Sequence, residues 1–155
     1  MPYRITGLPI DPFRPLIGLS EQELNTRSMR RVIADEKPGF PCRVTLEDAE
    51  PGESLILLAH EHQPAHSPYR ASGPIFVREA AVQTFDRTGQ IPPVLRSRLL
   101  SLRAYDGEGM MVEADVVDGS RAEELIERMF ANEAVETIHA HYARRGCYAC
   151  KIERA

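Results

Sequence analysis

The sequence predicts an α+β fold: a mainly antiparallel β-sheet with about two short-to-medium helices, the longer one packed on a sheet face. Three observations carry this. Alternating or continuous apolar segments outnumber those with helical spacing. Several neighbouring strand-like segments are joined by turns too short for the crossover that parallel pairing requires. Two helix starts carry a capping-box signature.

The elements follow in chain order. Tyr3 to Leu8 reads as a first short strand, and Pro9, Pro12 and Pro15 make the segment after it irregular. Ser20 with Glu23 forms a capping box, with Leu19 placed to staple to Leu24, so a short helix is expected from Glu21 to about Ser28. Glu53 to His62 contains Leu55-Ile56-Leu57-Leu58-Ala59, the continuous apolar run of a central, largely buried strand. Pro74 to Glu79 is a further short strand. Arg98 to Tyr105 alternates Leu100, Leu102 and Ala104 against Ser101, Arg103 and Tyr105. After the turn residues Asp106-Gly107-Glu108-Gly109 comes a strand alternating Val112, Ala114 and Val116, which predicts a hairpin. The second helix is expected from Ser120 to about Ala131, with a Ser120–Glu123 capping box. It carries an apolar stripe of Ala122, Leu125, Ile126, Met129 and Phe130 and a Glu124–Arg128 pair on its other side. A last hairpin pairs Val135–Ala143 with Cys147–Glu153 around Arg144-Arg145-Gly146.

The 155 residues have the usual size of one domain, so residues 1–155 are expected to fold as a single globular unit. A chain of this length removes roughly 70% of its unfolded surface from water, and needs no disulfide or metal to fold. The charge is 19 − 23 = −4, and ten carboxylates lie between Asp106 and Glu136 against Arg121 and Arg128. That balance argues against a nucleic-acid partner, whose phosphates require a basic surface. No apolar run reaches the roughly 18 residues of a membrane span, so no membrane partner is expected. Three cysteines and no signal-peptide pattern at Met1-Pro2-Tyr3-Arg4 point to a reducing cytoplasm.

The chemistry is carried by histidine, cysteine and arginine. On the last hairpin His139 and His141 share a face, because strand side chains alternate with period two. They would bind one metal ion together, or one of them would act as a base. With a two-residue turn Cys150 faces His141; with a three-residue loop it moves to the face of Ile138 and Tyr142. Cys147-x-x-Cys150 resembles half a zinc site without its second half. The competing reading is surface histidines beside small buried cysteines. His60, His62 and His66 form a second group whose spacing, through Gly73, resembles the first cupin metal motif, with His66 where that motif has glutamate. Cys42 precedes Arg43 and is a candidate nucleophile; the alternative is a buried structural thiol. Tyr69, Arg70, Arg78 and Arg103 are candidates for an anion-binding wall, or else partners of the surplus carboxylates. Glycine-rich nucleotide-binding fingerprints are absent.

Pro41-Cys42-Arg43-Val44, the block Ser67-Pro68-Tyr69-Arg70-Ala71-Ser72-Gly73-Pro74-Ile75-Phe76-Val77-Arg78, Arg103-Ala104-Tyr105-Asp106, and His139-Ala140-His141 followed by Gly146-Cys147 occur in this order. Together they resemble the bacterial family called domain of unknown function 1203. The resemblance implies a bacterial cytoplasmic protein, and the family brings no assigned activity and no catalytic residues. The function read from the residues is therefore a small-ligand-binding or enzymatic domain. Its pocket would use His139, His141, Cys147 and Cys42 for chemistry and Tyr69, Arg70, Arg78 and Arg103 for an unknown small molecule. The alternatives are a metal-binding protein, using His139 and His141 or the cupin-like set, and a non-enzymatic interaction module or homodimer. No particular cofactor is implied.

Overall fold

The computed structural model describes residues 2–155. Nine strands form two antiparallel sheets: β1 (Tyr3–Thr6), β2 (Arg30–Ile33), β3 (Ser54–Gln63), β4 (Ala71–Arg78), β5 (Asp86–Thr88), β6 (Leu99–Tyr105), β7 (Met111–Asp118), β8 (Thr137–Tyr142) and β9 (Tyr148–Arg154). The larger sheet runs β5-β1-β9-β8-β6-β7 and the smaller β2-β3-β4. Three α-helices accompany them among the described residues, α1 (Glu21–Thr26), α2 (Pro93–Arg96) and α3 (Ala122–Phe130). The fold is α+β and mainly antiparallel, as the short connections predict, but the strands divide between two sheets rather than one. None of the described helices is long and apolar enough to cross a membrane.

One face of the large sheet is its apolar side. Leu100, Leu102 and Ala104 of β6, Ile138 and Ala140 of β8, and Ile152 of β9 pack with Leu125, Ile126, Met129 and Phe130 of α3. All five residues of the expected stripe on α3 are buried, which at about 25 cal/mol per Å2 of apolar surface is the main force holding the helix down. The small sheet has a core of its own, where Ile56, Leu58, Ile75 and Val77 meet Phe13, Leu16 and Leu24. The proline-rich segment supplies part of that core through a 3-10 helix at Asp11–Leu16. β3 is the middle strand of its sheet, in keeping with its continuous apolar run.

Local chemistry explains the helix ends. The capping box of α1 is present in full: Ser20 Oγ accepts from Glu23 N, and Glu23 Oε2 accepts from Ser20 N. The one expected at Ser120 is not. A 3-10 turn, Gly119–Arg121, precedes α3, and its cap is Asp118, whose Oδ1 accepts both Ser120 N–H (3.0 Å) and Ser120 Oγ–H (2.7 Å). The cause is tertiary. Gly119 N donates to Arg98 O at 2.8 Å, and a Cβ at Gly119 would lie 1.8 Å from Leu95 O. This close approach fixes the turn one residue before Ser120 and takes its hydroxyl away from Glu123. Arg128 likewise leaves Glu124 and reaches Glu113 (3.2 Å) and Asp115 (2.9 Å) on β7.

Candidate metal centre

The second face of the large sheet is polar. His139 and His141 point away from α3, since Ile138, Ala140 and Tyr142 take the apolar side. Across the ladder Arg103 pairs with His139 and Ser101 with His141. β9 would present Tyr148 and Lys151 on opposite faces if it were regular. A bulge between them pairs Tyr148 with His141 and Lys151 with His139, bringing both to the histidine face. The same register keeps Cys150 opposite Ala140, buried on the apolar side; of the two hairpin arrangements left open by the sequence, this one puts Cys150 with Ile138.

β3 of the small sheet brings the third histidine. Its pairing with β4 shifts between Glu61 and Gln63, so His62 is the extra residue of a bulge. Bulges re-aim side chains beside functional sites, and here the His62 ring meets that of His141 at 5.0 Å and that of His139 at 6.4 Å, both edge-on. Tyr148, 4% exposed, is the hub. Its ring stacks on His62 (5.4 Å, 7°) and meets His139 and His141 edge-on at 5.4 and 5.8 Å. Tyr105 packs on His139 at 4.9 Å.

One ring nitrogen from each of His62, His139 and His141 lies within 4.8 Å of the others. His62 Nδ1, His139 Nδ1 and His141 Nε2 are buried with no hydrogen-bond partner among the described residues. The tautomer of His141 follows from its neighbour. Nδ1 is 2.9 Å from Gly146 O; a carbonyl only accepts, so Nδ1–H donates and Nε2 carries a free lone pair. Burial, the largest cause, holds His139 at a pKa of about 3, helped by the nearby His141 and His62. Burial also holds His141 at about 4, against the opposing hydrogen bond to Gly146, and it lowers His62. All three rings are therefore neutral at pH 7, the form that ligates metals.

Two imidazole nitrogens sharing a tetrahedral ion at 2.0–2.1 Å stand about 3.4 Å apart. The rings thus need to close by little more than an ångström, which small χ rotations supply. A carbonyl holding the far nitrogen of a ligand imidazole is the usual outer support of a metal site, and Gly146 O occupies that position for His141. Beside the cluster lies a cavity of about 470 Å3, whose wall includes His60, His62, His139, Tyr105, Tyr148 and Lys151.

The other candidate residues do not join the histidine cluster. His60 is half-buried, 6.0 Å from the Tyr148 ring, and His66 is exposed on the loop beyond β3; the cupin-like trio does not assemble. Cys147 accepts a hydrogen bond from Arg43 Nη2 at 3.0 Å and packs against the large core. Cys42 is fully buried in the small core, its Sγ accepting from Arg78 N at 3.3 Å. Arg78 is paired with Glu53 and Glu47, and Arg70 with Glu61. Tyr69 is exposed and touches Tyr105 edge-on at 6.3 Å. Arg103 alone of the four anion-wall candidates is felt by the histidines, lowering the pKa of all three.

Residues 39–154 match the family described as proteins of unknown function, DUF1203. The chain belongs to that family. The DUF1203 region contains all three clustered histidines, Tyr148 and Arg43. No curated protein and no solved structure matches the chain.

Proposed function

We propose that this DUF1203 protein binds one divalent transition-metal ion on His62, His139 and His141, and uses its open side on a small molecule held in the adjoining cavity. The observation that carries the reading is a set of three neutral imidazoles, each with a buried ring nitrogen that has no partner and each with a ring nitrogen within 4.8 Å of the others. Buried polar atoms are nearly always hydrogen-bonded, and three orphans together mark a place built for something else. Imidazole donors suit zinc, copper, iron and nickel. Three histidines with a vacant position form the donor set of catalytic zinc, which when bound lowers the pKa of a coordinated water to about 7 and polarises carbonyl oxygens. The chain's own part is to hold the rings: Gly146 O orients His141, and the Tyr148 ring packs against all three histidines. Three free cysteines fit a bacterial cytoplasm as the compartment.

Cobalt titration tests the reading. Co2+ added to metal-free protein should give the intense visible bands of a low-coordinate site at one ion per chain. His62→Ala, His139→Ala and His141→Ala should each weaken binding by about 100-fold or more, since even outer-support losses cost 10–100-fold. His66→Ala should leave it unchanged. A wild-type spectrum identical to aqueous Co2+ sinks the proposal.

A further inference from the structure

We infer that the cavity beside the three histidines selects a small molecule bearing an ammonium group at one end and a metal-binding oxygen at the other. The inference rests on the metal reading and adds the charge of the substrate. Four carboxylates and one ammonium line the cavity: Glu61, Asp106, Glu136 and Glu153 against Lys151. Two of the carboxylates are matched, Glu61 by Arg70 at 3.0 Å and Glu153 by Lys151 at 3.4 Å. Asp106 and Glu136 have no ion-pair partner among the described residues.

These two acids sit on either side of Gly107. Asp106 Oδ1 accepts N–H from Glu108 (2.9 Å) and Met110 (3.0 Å), which fixes the carboxylate in the β6–β7 turn. The Glu136 carboxylate lies over Gly107 so closely that a Cβ there would be 2.7 Å from its Oε1. Glycine at 107 thus lets two unneutralised acids share one wall. Acidic residues alone would carry no ligand. Here the same cavity is also lined by His139, which is 6% exposed with its Nδ1 unpartnered, and by His62, whose buried Nδ1 is likewise unpartnered. Positive charge flanks His139 from both neighbouring strands: Arg103 stands opposite it on β6, off the cavity wall, and Lys151 opposite it on β9. A ligand with an anionic or polar oxygen inward and an ammonium outward complements both ends; a dianion would meet Asp106 and Glu136 unpaired.

Three hydroxamates of matched length separate the outcomes when titrated into Co2+-loaded protein, the visible bands reporting contact with the metal. They are 6-aminohexanohydroxamic acid, hexanohydroxamic acid and the monohydroxamate of adipic acid. The amino compound should bind at least about tenfold tighter than the uncharged one, equivalent to 1.4 kcal/mol, and the carboxylate compound weakest. Asp106→Asn with Glu136→Gln should shrink the amino preference to about threefold or less and leave the cobalt bands intact. Equal binding of all three, with the bands responding, overturns the charge inference and leaves the metal site standing. A preference that survives the double variant overturns the assignment to Asp106 and Glu136. Absence of the bands in wild-type protein removes the metal reading and this inference together.

Discussion

At the scale of single residues, Arg43 is a charge held in the interior. It is 1% exposed, and its guanidinium donates to Tyr148 O (2.8 Å), Pro41 O (2.6 Å) and Cys147 Sγ (3.0 Å) while lying 5.1 Å from the Tyr142 ring centroid. It therefore ties the Pro41–Val44 segment to the start of β9, where Tyr148 emerges into the site. Arg43→Ala should cost about 3–5 kcal/mol, because two buried carbonyls lose their donors and a cavity opens, as read by urea unfolding. A loss below about 1 kcal/mol would mean the arginine is dispensable. The same scale shows what was legible in the sequence. Period-two alternation was enough to put His139 and His141 on one face. It could not join His62 to them, because the contact crosses two sheets and depends on a bulge at His62 that shifts the local period. Nor could it side Tyr148 with Lys151, three residues apart, since a second bulge intervenes.

At the scale of elements, the entrance to α3 distinguishes a local signal from a tertiary one. The Ser-x-x-Glu pattern was the same at both helices, yet only Ser20 caps in that way, because Gly119 is pressed onto Leu95 and Arg98. Asp118→Ala should therefore cost about 1 kcal/mol, the usual worth of a cap, and Ser120→Ala only a few tenths. Equal losses would restore the Ser120 cap. Gly119→Ala should be far worse, on the order of 3 kcal/mol, since backbone must move to admit the methyl group. Nothing local in the sequence marks the short β2 and β5 or the four-residue α2. They are held by pairing and packing with distant segments, and each is too short to show a period of its own.

At the scale of the whole molecule, the site is a product of two sheets meeting, so what holds the small sheet's elements together also shapes the site. Glu79, just past β4, accepts from Arg31 of β2 at 2.6 Å and from Gly18 N at 3.1 Å, and this pairing, led by the Arg31 hydrogen bond, holds its pKa at about 2. A carboxylate depressed on folding stabilises above its unfolded value near 4.5, and that stability is lost as pH falls toward 2. Glu79→Gln should therefore cost about 2 kcal/mol at pH 7, allowing for solvent screening of a pair that is 13–18% exposed. The penalty should fade between about pH 4.5 and 2, as followed by urea unfolding at stepped pH. A penalty independent of pH would show that the ion pair does not stabilise. The α+β class and antiparallel pairing were readable at this scale from turn lengths and from one strongly amphipathic helix. The split into two sheets was not, because nothing local records which strand edges meet.

The proposed function stands or falls on whether His62, His139 and His141 act as one ligand set. The direct measurement is the metal content of protein purified without a polyhistidine tag, stripped with chelator, reloaded and desalted. The wild-type chain should carry close to one transition-metal ion, and His62→Ala, on the other sheet from the remaining two ligands, close to none. A wild-type protein that stays well below one ion per chain, or a His62→Ala variant that holds as much metal as wild type, would contradict it.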